Sequence, residues 1–502
     1  MGSGRPTLRA GTRGGGKTGA VARDAGPFDP EAHWTLPARL REPGAVLLVA
    51  CYELGHQPLS VAWLAAALEA RGFAPALLDV SVEPFDPERA ARARLVAIAA
   101  PMHTALRIGV EVARSVRAVN PRAHLAFFGL YAWLNADTLL ADSADAVIGG
   151  EVEAPMAAWI EGLEAGGGRP VPGVRTRARP SPAHLARAML PVPSRAALPA
   201  LTAYAHLERD GRHDLVAAVE ATRGCRHRCR HCPIPPVYGG RFVVVPAATV
   251  LADIRQQVEA GARHVTFGDP DFLNGPRHAL RVTEALHAEF PDLTFDFTAK
   301  VEHLLRDRRH LATLARQGCL FVVSAVESLS DVVLGHLDKG HTRADVRAVV
   351  RVMREAGILL RPTWVAFTPW TTLDDYRAML DFVDAEDLVD CVDPIQYSLR
   401  LLVPPGSLLV DHPAMRPYLG PLRAEAFLYP WTHPDPRLDA LQLAVAAVVA
   451  RDARSGEDAA VTFDRIATLA DQAAGRLPRA SVASRLAPDR RRPPRLTEPW
   501  FC

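Results

Sequence analysis

Lysine is almost missing from this chain: Lys17, Lys300 and Lys339 are its only examples, so arginine carries nearly all of the 58 basic residues. Lys300 and Lys339 therefore stand out as candidate positions for a flexible ammonium rather than a planar guanidinium. Long apolar runs are missing too. The best, Ala440–Ala450, falls short of the ~18 residues a membrane span needs and reads as a buried helix. No apolar core of a signal peptide opens the sequence. The formal net charge is only +2, which gives no electrostatic case for nucleic acid or an anionic membrane as an obligate partner. Seven cysteines, three of them between 225 and 232, do not form a secreted disulfide framework. The remaining composition, 49% hydrophobic and 23% charged over 502 residues, is that of a globular protein of two or three domains.

Residues 1–43 are Gly/Arg-rich and aperiodic, and a disordered tail is expected there. Within them Gly11–Thr18 has the spacing of a phosphate-binding loop. No buried strand delivers it and no helix follows, so its N–H groups would not converge on phosphate. From Gly44 short apolar runs alternate with helical patterns. The strands Val46–Ala50, Ala76–Val80, Leu95–Ala100, His124–Phe128 and Ala146–Ile148 predict a doubly wound α/β domain over 44–165. Its first helix begins near Pro58, carries Val61, Leu64, Ala65 and Leu68 on one face, and ends at Gly72. Ligands of such domains lie outside the carboxyl ends of the strands, here Cys51–His56, Pro101–His103, Gly129–Tyr131 and Gly149–Glu151. His56 and His103 are candidate contacts there, or loop histidines with structural hydrogen bonds.

A Pro/Arg-rich linker is expected over 166–212. Residues 213–410 then repeat the βα texture, with strands at Leu215–Glu220, Val265–Phe267, Leu293–Phe297, Leu320–Ser324, Leu359–Ala366 and Ile395–Arg400. Helices are predicted over 247–260, 276–289, 308–317, 343–356 and 373–384. Six units make a partial (β/α)6 barrel, open on one side. A helical region over 411–485 and a flexible tail over 486–502 complete the chain.

The chemistry concentrates in Cys225-Arg-His-Arg-Cys229-Arg-His-Cys232, which follows a buried strand and a Gly224 turn and so sits at a strand's carboxyl end, where barrel active sites form. Three thiolates at these gaps can hold one iron-sulfur cube with one iron left open, since a 4Fe-4S cluster takes four ligands. A zinc site with His227 or His231 as the fourth ligand is the alternative that the spacing leaves open. The pattern resembles the radical S-adenosylmethionine (SAM) superfamily. That resemblance implies a 4Fe-4S cluster on Cys225, Cys229 and Cys232, SAM chelated by the open iron, and one-electron cleavage to a 5'-deoxyadenosyl radical. It also implies a reducing compartment, the cytoplasm, and an electron donor of the flavodoxin or ferredoxin type. A non-catalytic iron-sulfur carrier or sensor is the rival class.

The same resemblance assigns further residues to SAM. Phe267-Gly268-Asp269-Pro-Asp271 stands where the family has a Gly-Gly-Glu-like turn holding the methionine ammonium, and a carboxylate there would make a charge-assisted hydrogen bond. An Asp-rich turn capping the next helix would look the same. Ser324 and Glu327, in Ser-Ala-Val-Glu-Ser, match the segment that reaches the SAM ribose or carboxylate. Lys300 and Arg361 are cations able to meet the carboxylate, while Lys339 is either such a cation or a solvated helix end. His231 stands where the family usually has an aromatic residue.

Residues 46–165 resemble the cobalamin-binding domain fused ahead of many radical SAM enzymes, notably in Pro58–Leu68 and Gly149-Gly-Glu-Val-Glu153. Cobalamin is thus a candidate cofactor. The cobalt-ligating Asp-x-His-x-x-Gly pattern is absent, and Gly129-Leu-Tyr-Ala-Trp133 replaces the usual Gly-Gly turn with side chains that could obstruct a corrin ring. With cobalamin the implied outcome is methyl transfer to a poorly activated carbon or phosphorus; without it, rearrangement, thiolation or bond formation. The last residues, Leu496–Cys502, resemble the tail of a radical SAM group ending Cys-Cys-Ala-Glu-Pro or its selenocysteine form. This implies a redox-active tail, with a UGA codon after Cys502 read as a stop. The expected substrate is a small molecule or peptide.

Overall fold

The computed structural model describes residues 39–167, 170–186, 190–487 and 489–498. The phosphate-loop-like stretch, nearly all of the tail expected over 1–43, and Cys502 lie outside the described residues.

The apolar runs of the first half become the parallel strands β1 (Val46–Ala50), β2 (Ala76–Asp79), β3 (Leu95–Ala99), β4 (His124–Phe128) and β5 (Ala146–Ile148). They read as unbroken hydrophobic runs because helices cover both faces of the sheet. The order is β2-β1-β3-β4-β5, closed by an antiparallel edge strand β6 (Val174–Arg175) that the expected linker supplies. The first helix, Leu59–Glu69, is buried nearly all round. Val61, Leu64, Ala65 and Leu68 pack on their own sheet, whereas Leu59 and Trp63 join the core of the second domain. A helix sandwiched in this way must be apolar on every face.

The second sheet runs β14-β13-β12-β11-β8-β7-β15. Its parallel arc is β8 (Arg212–Val219), β11 (His264–Phe267), β12 (Thr294–Thr298), β13 (Cys319–Glu327) and β14 (Leu359–Trp364). The antiparallel strands β7 (His206–Arg209) and β15 (Arg495–Leu496) extend one edge, and a small hairpin of β9 (Thr222–Gly224) and β10 (Phe242–Val244) stands at the mouth. The sixth strand expected at 395–400 is a 3-10 turn, Pro394–Ser398, and only a single parallel bridge from Phe367 to Arg400 carries the arc further. Pro394 removes a ladder donor and Asp393 accepts from Ile395 N, so the turn outcompetes the strand. The helix expected at 308–317 is a 3-10 turn, Arg308–His310, and a short helix, Leu311–Arg316.

The region expected to be helical from 411 is irregular until Pro436, after which helices Pro436–Ser455 and Ala459–Ala473 pair. The tail expected to be flexible is docked through 490–498. Arg490 pairs with Asp390 and Asp458, β15 pairs with β7, and Leu496 packs with Leu207, Val216 and Phe321 at the foot of the barrel. Among the described residues no helix is long and apolar enough to cross a membrane.

Candidate cluster and cofactor site

Side chains of the arc alternate. Ala217, Val219, Val265, Phe267, Phe295 and Phe297 point into the core under the helices. Their neighbours Ala218, Thr266, Thr298, Val323, Ala325 and Thr363 stay only half-buried and line the concave side. A chamber walled by small and hydroxyl-bearing residues results, with the cluster loop across its mouth.

Gly224 delivers that loop. Its φ is +75°, and a Cβ there would lie 2.5 Å from the Tyr238 ring and 2.7 Å from Arg241 O, so only glycine fits immediately before Cys225. Cys225 and Cys229 are buried and Cys232 is half-buried. Burial pushes the Cys232 thiol up to about 12 and raises Cys225 as well, against the stabilising Ile234 N–H and His227 N–H. A bare thiolate is therefore disfavoured at both positions, and a cation must replace the proton before either can ionise. Three thiols of one loop, near enough for Cys229 and Cys225 to act on Cys232, fit an iron-sulfur cube, whose irons supply that charge.

Beside the loop lies a buried ion pair. Lys339 Nζ donates to Glu327 Oε1 at 3.2 Å, and His231 Nε2 is 3.2 Å from the same oxygen. Burial alone would raise the Glu327 carboxyl, but the Lys339 and His231 charges and hydrogen bonds outweigh it and hold the group at about 2. Burial would lower Lys339, and Glu327, Cys229 and Cys232 together raise it, so this ammonium faces both the carboxylate and the cluster thiols. Lys339 is thus a buried cation at the mouth, not a solvated helix end. Glu327 holds φ +66°, uncommon outside glycine.

The remaining expected SAM residues are distributed differently. Gly268 is exposed at the mouth, with its N–H spent on Val219 O. Asp269, instead of facing a ligand, fastens the turn between β8 and β9. Its two oxygens accept from Ala221 N at 2.9 Å and Thr222 Oγ1 at 2.5 Å. Burial pushes its carboxyl up to about 7 in spite of those bonds. Asp271 caps the turn Phe272–Asn274 through Leu273 N, so the capping alternative describes it better than an ammonium contact. Its other oxygen accepts from Lys300 N at 3.3 Å and lies 2.8 Å from His303 Nδ1. Lys300 Nζ is 3.0 Å from His227 Nδ1, and His227 Nε2 is 2.8 Å from His303 Nε2. Lys300, His227, His303 and Asp271 thereby form a continuous polar chain that props the cluster loop. His227, His303 and Asp271 also come close enough to hold a metal ion.

Ser324 is turned away from the chamber and donates to Ala299 O at 2.8 Å, because it shares strand parity with core-facing Val322 and Val326. Arg361 sits three positions before Trp364, the strand partner of Glu327, hence roughly 10 Å below the mouth. There it donates to Pro494 O and stacks over Phe321, so it anchors the tail and does not approach the cluster. Sequence reasoning missed Asp296 and His264, a buried pair 2.9 Å apart on the chamber floor, because each looks like an ordinary strand residue.

The first domain reaches the loop through Arg223. It contacts Glu153 at 2.7 Å, Glu151 at 3.2 Å and Glu220 at 3.0 Å, and lies over the Trp63 ring. His56 Nε2 is 2.6 Å from Glu498 of the tail, and His103 Nε2 is 2.8 Å from Ala426 O.

Residues 219–382 match the Radical SAM superfamily, and residues 45–160 match the B12 binding domain. A tRNA-2-methylthio-N(6)-dimethylallyladenosine synthase of Chlorobium luteolum is 28% identical over 187 residues, 35% of this chain and 40% of the relative. A ribosomal protein uS12 methylthiotransferase RimO of Thermus thermophilus is 27% identical over 205 residues, 36% of this chain and 45% of the relative. The chain thus spans less than half the length of these curated relatives. Among solved structures, OxsB with aqua-cobalamin and S-adenosylmethionine superposes with a TM-score of 0.64 at 14% identity, covering 81% of this chain and 66% of that one. TsrM from Kitasatospora setae with cobalamin and [4Fe-4S] cluster gives 0.55 at 19%, covering 68% and 73%. At such identities the likeness is one of fold. The chain carries a radical SAM domain behind a B12-binding domain, in the α/β class read from the sequence. The first implies 4Fe-4S and SAM; the second, with the cobalamin-bound neighbours, supports cobalamin as a candidate cofactor.

Proposed function

We propose that this chain is a radical SAM enzyme that abstracts hydrogen from a small-molecule or peptide substrate held in the barrel chamber. The observation that carries the reading is the three-thiol loop set against the buried Glu327–Lys339 pair. When bound, the cluster supplies one electron to the sulfonium of SAM, which yields methionine and a 5'-deoxyadenosyl radical. Cys225, Cys229 and Cys232 would ligate three irons, and Lys339, fixed by Glu327, offers an ammonium to the methionine carboxylate. The chain Lys300–His227–His303–Asp271 keeps the loop at the mouth, and the wall of Ala218, Val323 and Ala325 presents few reactive groups to a radical. A flavodoxin or ferredoxin type donor would supply the electron.

A second reading, cobalamin-dependent methyl transfer, rests on the B12-binding match and requires the first domain to open to a corrinoid. The test of the first is anaerobic reconstitution with iron and sulfide, then dithionite and SAM, scoring 5'-deoxyadenosine. Its absence from a cluster-loaded protein would reduce the chain to an electron carrier or sensor.

A further inference from the structure

We propose that the crevice in which the first domain would seat a corrinoid is filled by this chain's own residues, Phe427 at the switch point between β1 and β3 and Trp133 beyond the end of β5, so that the protein in this conformation holds none. With strand order β2-β1-β3-β4-β5 the ligand crevice lies outside the carboxyl ends, at the switch point between β1 and β3. Each loop around it is engaged internally.

Gly149 and Gly150, after β5, would form a bare cradle. A Cβ on Gly149 would overlap the Trp133 indole, however, and one on Gly150 would overlap the His184 carbonyl. Trp133 belongs to the short helix Leu130–Leu134, which packs on the helix Ile234–Tyr238 of the cluster loop, together with Leu130 and Leu134. Gly406 of the irregular segment before Pro436 rests against Leu134. At the switch point that segment supplies Ala426 O to His103 and Phe427 to the cluster of buried Tyr52 and Tyr131, against which half-buried Met102 packs. Phe427 is 6% exposed and holds φ +58°. A bulky side chain persists in that left-handed conformation only where surrounding packing over-determines it. The β1 loop is closed as well: Glu53 accepts from Leu59 N and Ser60 N, and His56 meets Glu498. A corrin with its nucleotide tail does not fit unless the Trp133 helix and the Phe427 segment both leave.

The test incubates the cluster-reconstituted full chain with hydroxocobalamin, removes free ligand by desalting, and reads corrinoid absorption per chain. The wild type and Trp133→Gly should retain no more than a corrinoid-free control protein, whereas the double variant Trp133→Gly/Phe427→Gly should retain at least about tenfold more than that background. Near-stoichiometric retention by the wild type overturns the proposal, and that arm needs no variant to fold. If neither the wild type nor either folded variant retains corrinoid, the filling role given to Trp133 and Phe427 is overturned. Hydrogen exchange over 129–134 gives a second readout: added hydroxocobalamin should leave the wild type unchanged, and altered protection overturns the proposal. SAM cleavage plays no part in these readouts, so they fail or succeed separately from the radical reading.

Discussion

Lys339 and Glu327, twelve residues apart in sequence, form a buried ion pair at 3.2 Å whose ammonium also faces Cys229 and Cys232. Removing one partner strands the other. Lys339→Met should destabilise the chain by about 3–5 kcal/mol, the cost of an uncompensated buried charge, in urea unfolding. Lys339→Met/Glu327→Gln should recover much of that loss. Neither variant should cleave SAM at the wild-type rate.

The same pair sets an acid limit. Glu327 is held at about 2, below the ordinary carboxylate value, so its contribution is present above that ordinary value and lost as pH falls toward 2. Unfolding free energy measured between pH 6 and pH 3 should fall more steeply in the wild type than in Glu327→Gln.

Gly224→Ala places a methyl group against the Tyr238 ring and Arg241 O in a φ +75° backbone. The combined cost should exceed ~1 kcal/mol. Because the strain falls immediately before Cys225, iron content per chain after reconstitution should drop more than thermal stability does.

His56 is raised above its ordinary value. Burial would lower it, but Glu498, with smaller help from Asp296 and Glu53, outweighs that effect. The tail contact is therefore strongest below pH ~6.5 and weakens as pH rises through the higher folded value. Hydrogen exchange over 490–498 should be faster at high pH in the wild type, and independent of pH in His56→Gln beyond the intrinsic rate.

What the sequence made legible was local. The cysteine spacing is a covalent property of one loop, and the strands of the first domain are runs of apolar residues buried on both faces. Ser324 was misread because its direction depends on strand parity in β13, where the register with β14 shifts between Ala325 and Glu327. Asp269 and Asp271 share one turn, and their roles are decided by distant groups, Ala221 and Thr222 for one and Lys300 for the other. The alternation Ile395-Gln-Tyr-Ser398 resembled a strand until Pro394 and Asp393 turned it. Tail docking was invisible because β15 finds β7 across nearly the whole length of the second domain.

The central claim is that Cys225, Cys229 and Cys232 hold a cube with one iron free for SAM. Electron paramagnetic resonance of the anaerobically reconstituted, dithionite-reduced protein measures this directly. The account expects a 4Fe-4S signal that changes shape when SAM is added and vanishes in each single Cys→Ala variant. A colourless zinc protein with no such signal, or a signal indifferent to SAM, would contradict it.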